Sequence, residues 1–196
     1  MVLSGNSDVQ GHLRAAADDE AAADAQLDWL ERTLASSTAD FLIVAGHYPI
    51  WSICSHGQAA ETNLTRHLVK PLLEQHRVTA YLNGHDHCEQ HVQETAGGVD
   101  YHTVGSAAIN DNTTTSLESV PPDSLRFHSS AKMGGFATVT VTSEGLTLTH
   151  KDGDGTVLYT APPLKPREKE WLGGAVARGQ QADRDVEARK RRPKLN

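Results

Sequence analysis

Val78-Thr79-Ala80-Tyr81-Leu82-Asn83-Gly84-His85-Asp86-His87 is an apolar run that ends on a histidine-rich turn. The run is too short for a helix and rich in strand formers, so residues 78–82 read as a buried strand. The same arrangement occurs earlier, where Phe41-Leu42-Ile43-Val44-Ala45 is closed by Gly46-His47-Tyr48-Pro49. Between the two strands, residues 61–76 set Leu64, Leu68, Leu72 and Leu73 at helical spacing, with Pro71 expected to kink the helix or start a new turn. Before the first strand, Leu27, Leu30 and Leu34 predict a helix over about 25–36, with Asp24 as its N-cap and Ser36-Ser37 as its end. Helix, strand, helix, strand is the pattern of an α/β layer. Reactive groups in such layers gather at the carboxyl ends of the strands, where both Gly-His pairs sit.

Outward from this core the pattern changes. Residues 91–94 and 101–104 flank Ala96-Gly97-Gly98 and predict a hairpin; residues 136–142 and 146–150 around Ser143-Glu144-Gly145 predict another. Residues 110–124 read as a loop, and Val157-Leu158-Tyr159 as a further strand. Residues 11–25, rich in Ala and Asp, read as a surface loop or weak helix. The organisation expected is one folded unit over 1–165 and a charged, disordered tail over 166–196.

The 196 residues carry a net charge of −7, which argues against a general nucleic-acid binder. No stretch approaches the ~18–20 apolar residues of a membrane span, and the first residues lack the basic and apolar regions of a secretory signal. Cys54 and Cys88 are too few for a disulfide framework and fit no zinc ribbon; whether they pair with each other is left open, and structural or incidental roles are expected for both. Asp152-Gly153-Asp154-Gly155 has the start of a calcium loop, but Pro163 stands where the bidentate acid would be needed, so a plain turn is expected. Asn63 and Asn112 lie in sequons.

The eleven histidines carry the chemistry. In an extended backbone His85 and His87 point to the same side, with Cα atoms ~6.6 Å apart at ~3.3 Å per residue. They suit a clamp on one metal, or one metal each in a pair ~3.5–4 Å apart. Neutral imidazole suits zinc, iron and copper. His47 stands at the rim of the sheet behind a glycine that lets another group come close. His56, just beyond that rim, is placed to donate a proton to a leaving group.

Val44-Ala45-Gly46-His47-Tyr48-Pro49-Ile50-Trp51-Ser52, followed by His56-Gly57, and Ala80-Tyr81-Leu82-Asn83-Gly84-His85-Asp86-His87 resemble two signature blocks of the purple acid phosphatases of the tartrate-resistant type. Gln26-Leu27-Asp28-Trp29-Leu30, Leu125-Arg126-Phe127-His128 and Gly134-Gly135-Phe136-Ala137 resemble flanking stretches, so the similarity runs from about residue 3 to 160. The two histidine blocks separate this group from the wider calcineurin-like metallophosphoesterases. The resemblance implies a partial four-layer α/β/β/α sandwich with mixed sheets and hydrolysis of phosphate monoesters. It implies a binuclear centre of iron(III) with iron(II), zinc or manganese. Carried over, His47 and His85 bind the divalent metal, His87 binds the iron(III), and His56 sits beside the substrate phosphate.

The family's remaining ligands lie in upstream blocks that have no counterpart in this sequence. The expectation is therefore an N-terminally incomplete phosphatase with little activity of its own, or a non-catalytic chain that binds or regulates. A full-length relative is expected to be secreted or lysosomal/vacuolar.

Overall fold

Alternate residues along the two quoted strands point to opposite faces, and this decides the layering. In the computed structural model, which describes residues 17–95, 98–111, 113–129 and 134–191, the strands are β1 (Ile43–Gly46) and β2 (Ala80–Asn83). Val44 and Tyr81 turn one way, into a core with Leu30, Leu34, Leu73 and Val78 from the helical side. Ile43, Ala80 and Leu82 turn the other way, against Leu146 and Leu148. Sequence expectations for residues 1–16, Ala96-Gly97, Asn112 and 192–196 lie outside the described residues.

β1 and β2 pair in parallel, Ile43 beside Ala80 and Gly46 beside Asn83, and β2 pairs in parallel with β4 (Asp100–Val104). The expected hairpin forms with its first strand displaced: β3 (Glu89–Val92) runs antiparallel to β4 and to β5 (Leu125–Ser129). The result is a mixed five-stranded sheet in the order β1-β2-β4-β3-β5. β6 (Phe136–Val141), β7 (Leu146–Lys151) and β8 (Val157–Thr160) form a second, antiparallel sheet on its back. Helices, mixed sheet and second sheet are thus the α/β/β part of the expected sandwich. Asp152 Oδ1 accepts from the backbone of Asp154 and Thr156, so 152–155 is the plain turn expected.

The helices differ from expectation at their ends. α1 (Ala17–Ser36) ends where expected but starts well before Asp24, which is interior rather than capping. Alanine has the highest helix propensity, so the weakly apolar run extends the helix instead of breaking it. α2 (Ala60–Leu68) and α3 (Lys70–Gln75) split at Val69, because Pro71 has no N–H to continue the first helix but suits the first turn of the next.

The charged tail is the clearest correction. Residues 166–191 are not without structure: α4 (Lys169–Gly173) and α5 (Ala175–Lys190) follow β8. Ala175, Ala182 and Val186 of α5 are buried. Arg189 pairs with Asp28 and Glu31 of α1, and Arg32 of α1 pairs with Asp183 at 3.0 Å. Arg167 leads into these helices with its guanidinium on the carbonyls of Ala39, Ser37 and His76. Small apolar residues at helical spacing dock the helix, and the charges that suggested disorder pair across the seam.

Candidate metal centre at the strand rim

Gly46 ends β1 at a point where no side chain fits. A Cβ there would lie 2.2 Å from the Tyr81 hydroxyl, which donates to the Tyr48 carbonyl at 2.8 Å and so holds the turn that carries His47. Gly84 N–H donates to the His47 carbonyl at 3.1 Å, tying the two histidine turns together. His85 has φ +63°, a left-handed conformation that costs a non-glycine residue ~1–2 kcal/mol.

This geometry brings His47 and His85 into contact. His85 Nδ1 lies 3.2 Å from His47 Nε2, and His85 Nε2 lies 3.2 Å from Glu61 Oε1 of α2. The Tyr48 ring packs 4.6 Å from His85, and the His56 ring 4.7 Å from it on another side. Burial lowers the pKa of His85; the hydrogen bond to the accepting Glu61 carboxylate opposes this, and His56 and His47 reinforce it. The ring is therefore biased toward the neutral form that binds metals.

Asp86, within the quoted motif but given no role there, is fully buried and organises the loop that bears His56. Its carboxylate accepts from the Ser52 hydroxyl, from the Ser55 hydroxyl at 3.3 Å and from the His56 backbone N–H at 3.2 Å. His56 Nδ1 lies 3.0 Å from Asp86 Oδ1, which leaves Nε2 turned away from the carboxylate. A carboxylate behind an imidazole fixes its orientation.

Asp111 braces the same loop: it accepts from Ser55 N–H at 3.1 Å and donates its own N–H to the His87 carbonyl at 2.6 Å. Burial raises the Asp111 pKa, but hydrogen bonds from Ser55 and Thr113 outweigh it and hold the carboxyl at about 2. A disulfide between Cys54 and Cys88 joins the His56 loop to the residue after His87.

His87 is half-buried, and its backbone carbonyl is held by Asp111 N–H. Glu61 and Asp86 were missed in the sequence. Glu61 lies 24 residues before His85, with no spacing signal, whereas Asp86 between two histidines was in view.

A family model described as Calcineurin-like phosphoesterase matches residues 5–89. Tartrate-resistant acid phosphatase type 5 of Oryctolagus cuniculus is 42% identical over 136 residues, 68% of this chain and 41% of that protein. The Homo sapiens protein of the same name is 39% identical over 145 residues, 72% of this chain. The chain belongs to the calcineurin-like phosphoesterases. Purple acid phosphatase 4 of Arabidopsis thaliana, 32% identical over 66% of this chain, extends the relationship to plants. The phosphoesterase chain spans about 41–43% of the length of the animal relatives it matches.

Among solved structures, the anchor GAP50 of the Plasmodium inner membrane complex superposes with a TM-score of 0.71 at 19% identity, covering 92% of this chain and 53% of that one. Purple acid phosphatase PPD1 from yellow lupin seeds superposes with a TM-score of 0.60 at 18% identity, covering 75% of this chain and 29% of that one. Both show the fold.

The family implies a binuclear metal centre. The 3.2 Å between His85 Nδ1 and His47 Nε2 suits two ligands of one ion with bonds of about 2.1 Å. Glu61 takes the other ring nitrogen of His85, Nε2, and so orients the imidazole from behind. Among the described residues the rim does not bring three donor atoms within 4.8 Å of one another. The donor types fit one divalent ion, and a second ion needs oxygen donors beyond these.

Proposed function

We propose that this chain forms the histidine-rich side of a metal-dependent centre that hydrolyses phosphate monoesters, in the manner of an acid phosphatase. The observation that carries this reading is the meeting of His47 and His85 at 3.2 Å, with His56 packed against His85 and held by Asp86. His47 and His85 hold a divalent ion, iron, zinc or manganese, and His87 serves the iron(III) side. Such ions, when bound, neutralise phosphate charge and acidify a water for in-line attack. Asp86 takes Nδ1 of His56, so the proton that reaches the leaving oxygen comes from Nε2. Imidazole is switchable in this role because its ordinary pKa is ~6.5. The relatives' printed names support the substrate class. The disulfide supports an oxidising compartment, secreted or lysosomal/vacuolar.

A second reading, a non-catalytic chain that binds or regulates, is favoured by the incomplete donor set at the rim. The two are separated by reconstituting residues 1–196 with iron and zinc and following an aryl phosphate at about pH 5. The expected result is slow turnover that His85→Ala abolishes. His56→Ala lowers it ~10²-fold with metal content intact. Zinc-dependent phosphate binding without turnover favours the second reading. Turnover indifferent to both substitutions sinks the first.

A further inference from the structure

The interior between the two sheets holds another set of donors, and strand register puts them there. His91 of β3 lies directly opposite His102 of β4, and cross-strand partners have Cβ atoms ~4.5–5.5 Å apart. Asp100, two residues before His102, shares its face. The same rows carry Leu82 beside His102 and Phe127 beside His91. All three candidate ligands are at most 1% exposed. The two imidazoles stack with centroids 4.1 Å apart, and one donor atom from each of His91, Asp100 and His102 lies within 4.8 Å of the others.

Each of the three is held by a partner on its other polar atom. Asp100 Oδ1 accepts from Gln93 Nε2 at 2.6 Å. His91 Nδ1 meets the Tyr159 hydroxyl at 3.1 Å. His102 Nδ1 meets His150 Nε2 at 3.0 Å, and His150 Nδ1 meets Glu89 Oε2 at 2.6 Å. The direction of that last chain follows from Glu89. Its carboxylate accepts, also from the Ser106 hydroxyl at 2.8 Å, so His150 Nδ1 donates and His150 Nε2 accepts. His102 Nδ1 then donates, and His102 Nε2 is left as a bare lone pair.

The atoms left over are His102 Nε2, His91 Nε2 and Asp100 Oδ2, none with a hydrogen-bond partner among the described residues, with His91 Nε2 3.4 Å from Asp100 Oδ1, at ion-pair distance. A buried polar group without a partner is destabilising, and three in one place call for a common occupant. We propose that His91, His102 and Asp100 form an interior site for one divalent transition ion of the zinc type, separate from the rim. Two imidazole nitrogens and a carboxylate oxygen are zinc donors, and they disfavour calcium or magnesium. The stacked rings must splay for their lone pairs to converge, a rotation of one imidazole.

The outer partners define what the ion does. His150 belongs to β7 and Tyr159 to β8, where they face each other across the second sheet. The ligands belong to the five-stranded sheet and the groups that orient them largely to the three-stranded sheet, so the ion fastens one layer to the other. Binding to the folded state alone raises stability by mass action.

The test removes the rim first. Full-length chain carrying His47→Ala, His85→Ala and His87→Ala is stripped with a chelator and titrated with Zn(II) or Co(II). One ion per chain is expected, with a zinc-dependent rise in melting temperature and an X-ray absorption shell showing two imidazoles. Tyr159→Phe, which removes only the outer partner of His91, is expected to weaken zinc binding ~10-fold. Adding His102→Gln and Asp100→Asn abolishes it. If that last variant does not fold, the absorption shell of the rim variant decides. Absence of a bound ion in the folded rim variant overturns the proposal. So does a sulfur shell, which would mean that the Cys54–Cys88 disulfide had been reduced and the ion taken there with His128.

Discussion

Gly46 sets the position of His47 by what it lacks. A methyl group there would meet Tyr81 Oη at 2.2 Å and Cζ at 3.0 Å, and Tyr81 is buried with its hydroxyl committed to Tyr48. Gly46→Ala is expected to cost ~1–3 kcal/mol by overpacking. In the Tyr81→Phe background the nearest atom is gone, so the same substitution costs less, with a coupling of at least ~0.5 kcal/mol. Urea denaturation of the four proteins measures it, and strictly additive costs would refute the contact. The close approach was legible as a Gly-His pair at a strand end, but the partner was not, because Tyr81 lies on the neighbouring strand. Asp86 shows the complementary limit: its position in Gly84-His85-Asp86-His87 was plain, and its hold on His56 came only from the fold of the 52–56 loop.

At the scale of elements, the strands and the helix break at Pro71 followed from local chemistry, and α5 did not. Its buried residues, Ala175, Ala182 and Val186, are small and scattered among charges, so the stripe was hidden by composition. Two substitutions separate packing from charge. Val186→Asp buries a carboxylate against α1 and is expected to cost about 3 kcal/mol, undocking α5. Arg189→Ala removes ion pairs from a side chain that is 50% exposed, and is expected to cost ~1 kcal/mol or less. Thermal melts rank them; the reverse order would mean that the helix is held by its charges.

For the whole molecule, acid pH is the condition that matters if the proposed chemistry holds. His76, beneath α1 and near Arg167, is 3% exposed and neither ring nitrogen has a hydrogen-bond partner among the described residues. Burial lowers its pKa below the ordinary value; Glu31 opposes this, and Arg178 and Arg167 add to it. The unfolded chain therefore takes up this proton first as pH falls. The stability that neutral His76 contributes is full above ~6.5 and is lost as pH drops toward the folded-state value. His76→Gln is expected to flatten stability against pH below ~6.5. A slope equal to that of the parent would show that His76 is not buried neutral.

The sequence by itself determined the α/β layer, strands β1 to β4 of the mixed sheet and which histidines leave it at one end. Those are local facts: strand runs, a 3.6-residue period, and glycine and proline where backbone must turn. Tertiary structure alone decided that His85 meets His47 and Glu61, that Asp86 holds His56, and that a charged tail docks on α1. It also decided that His91, His102 and His150 meet between two sheets. In sequence His91 and His102 sit on the two arms of one hairpin and His150 on another, all as ordinary alternating residues, and only the register of β3 with β4 and the stacking of one sheet on another make them neighbours. Periodicity fixes which face a side chain takes, and the packing of that face against another fixes its chemistry.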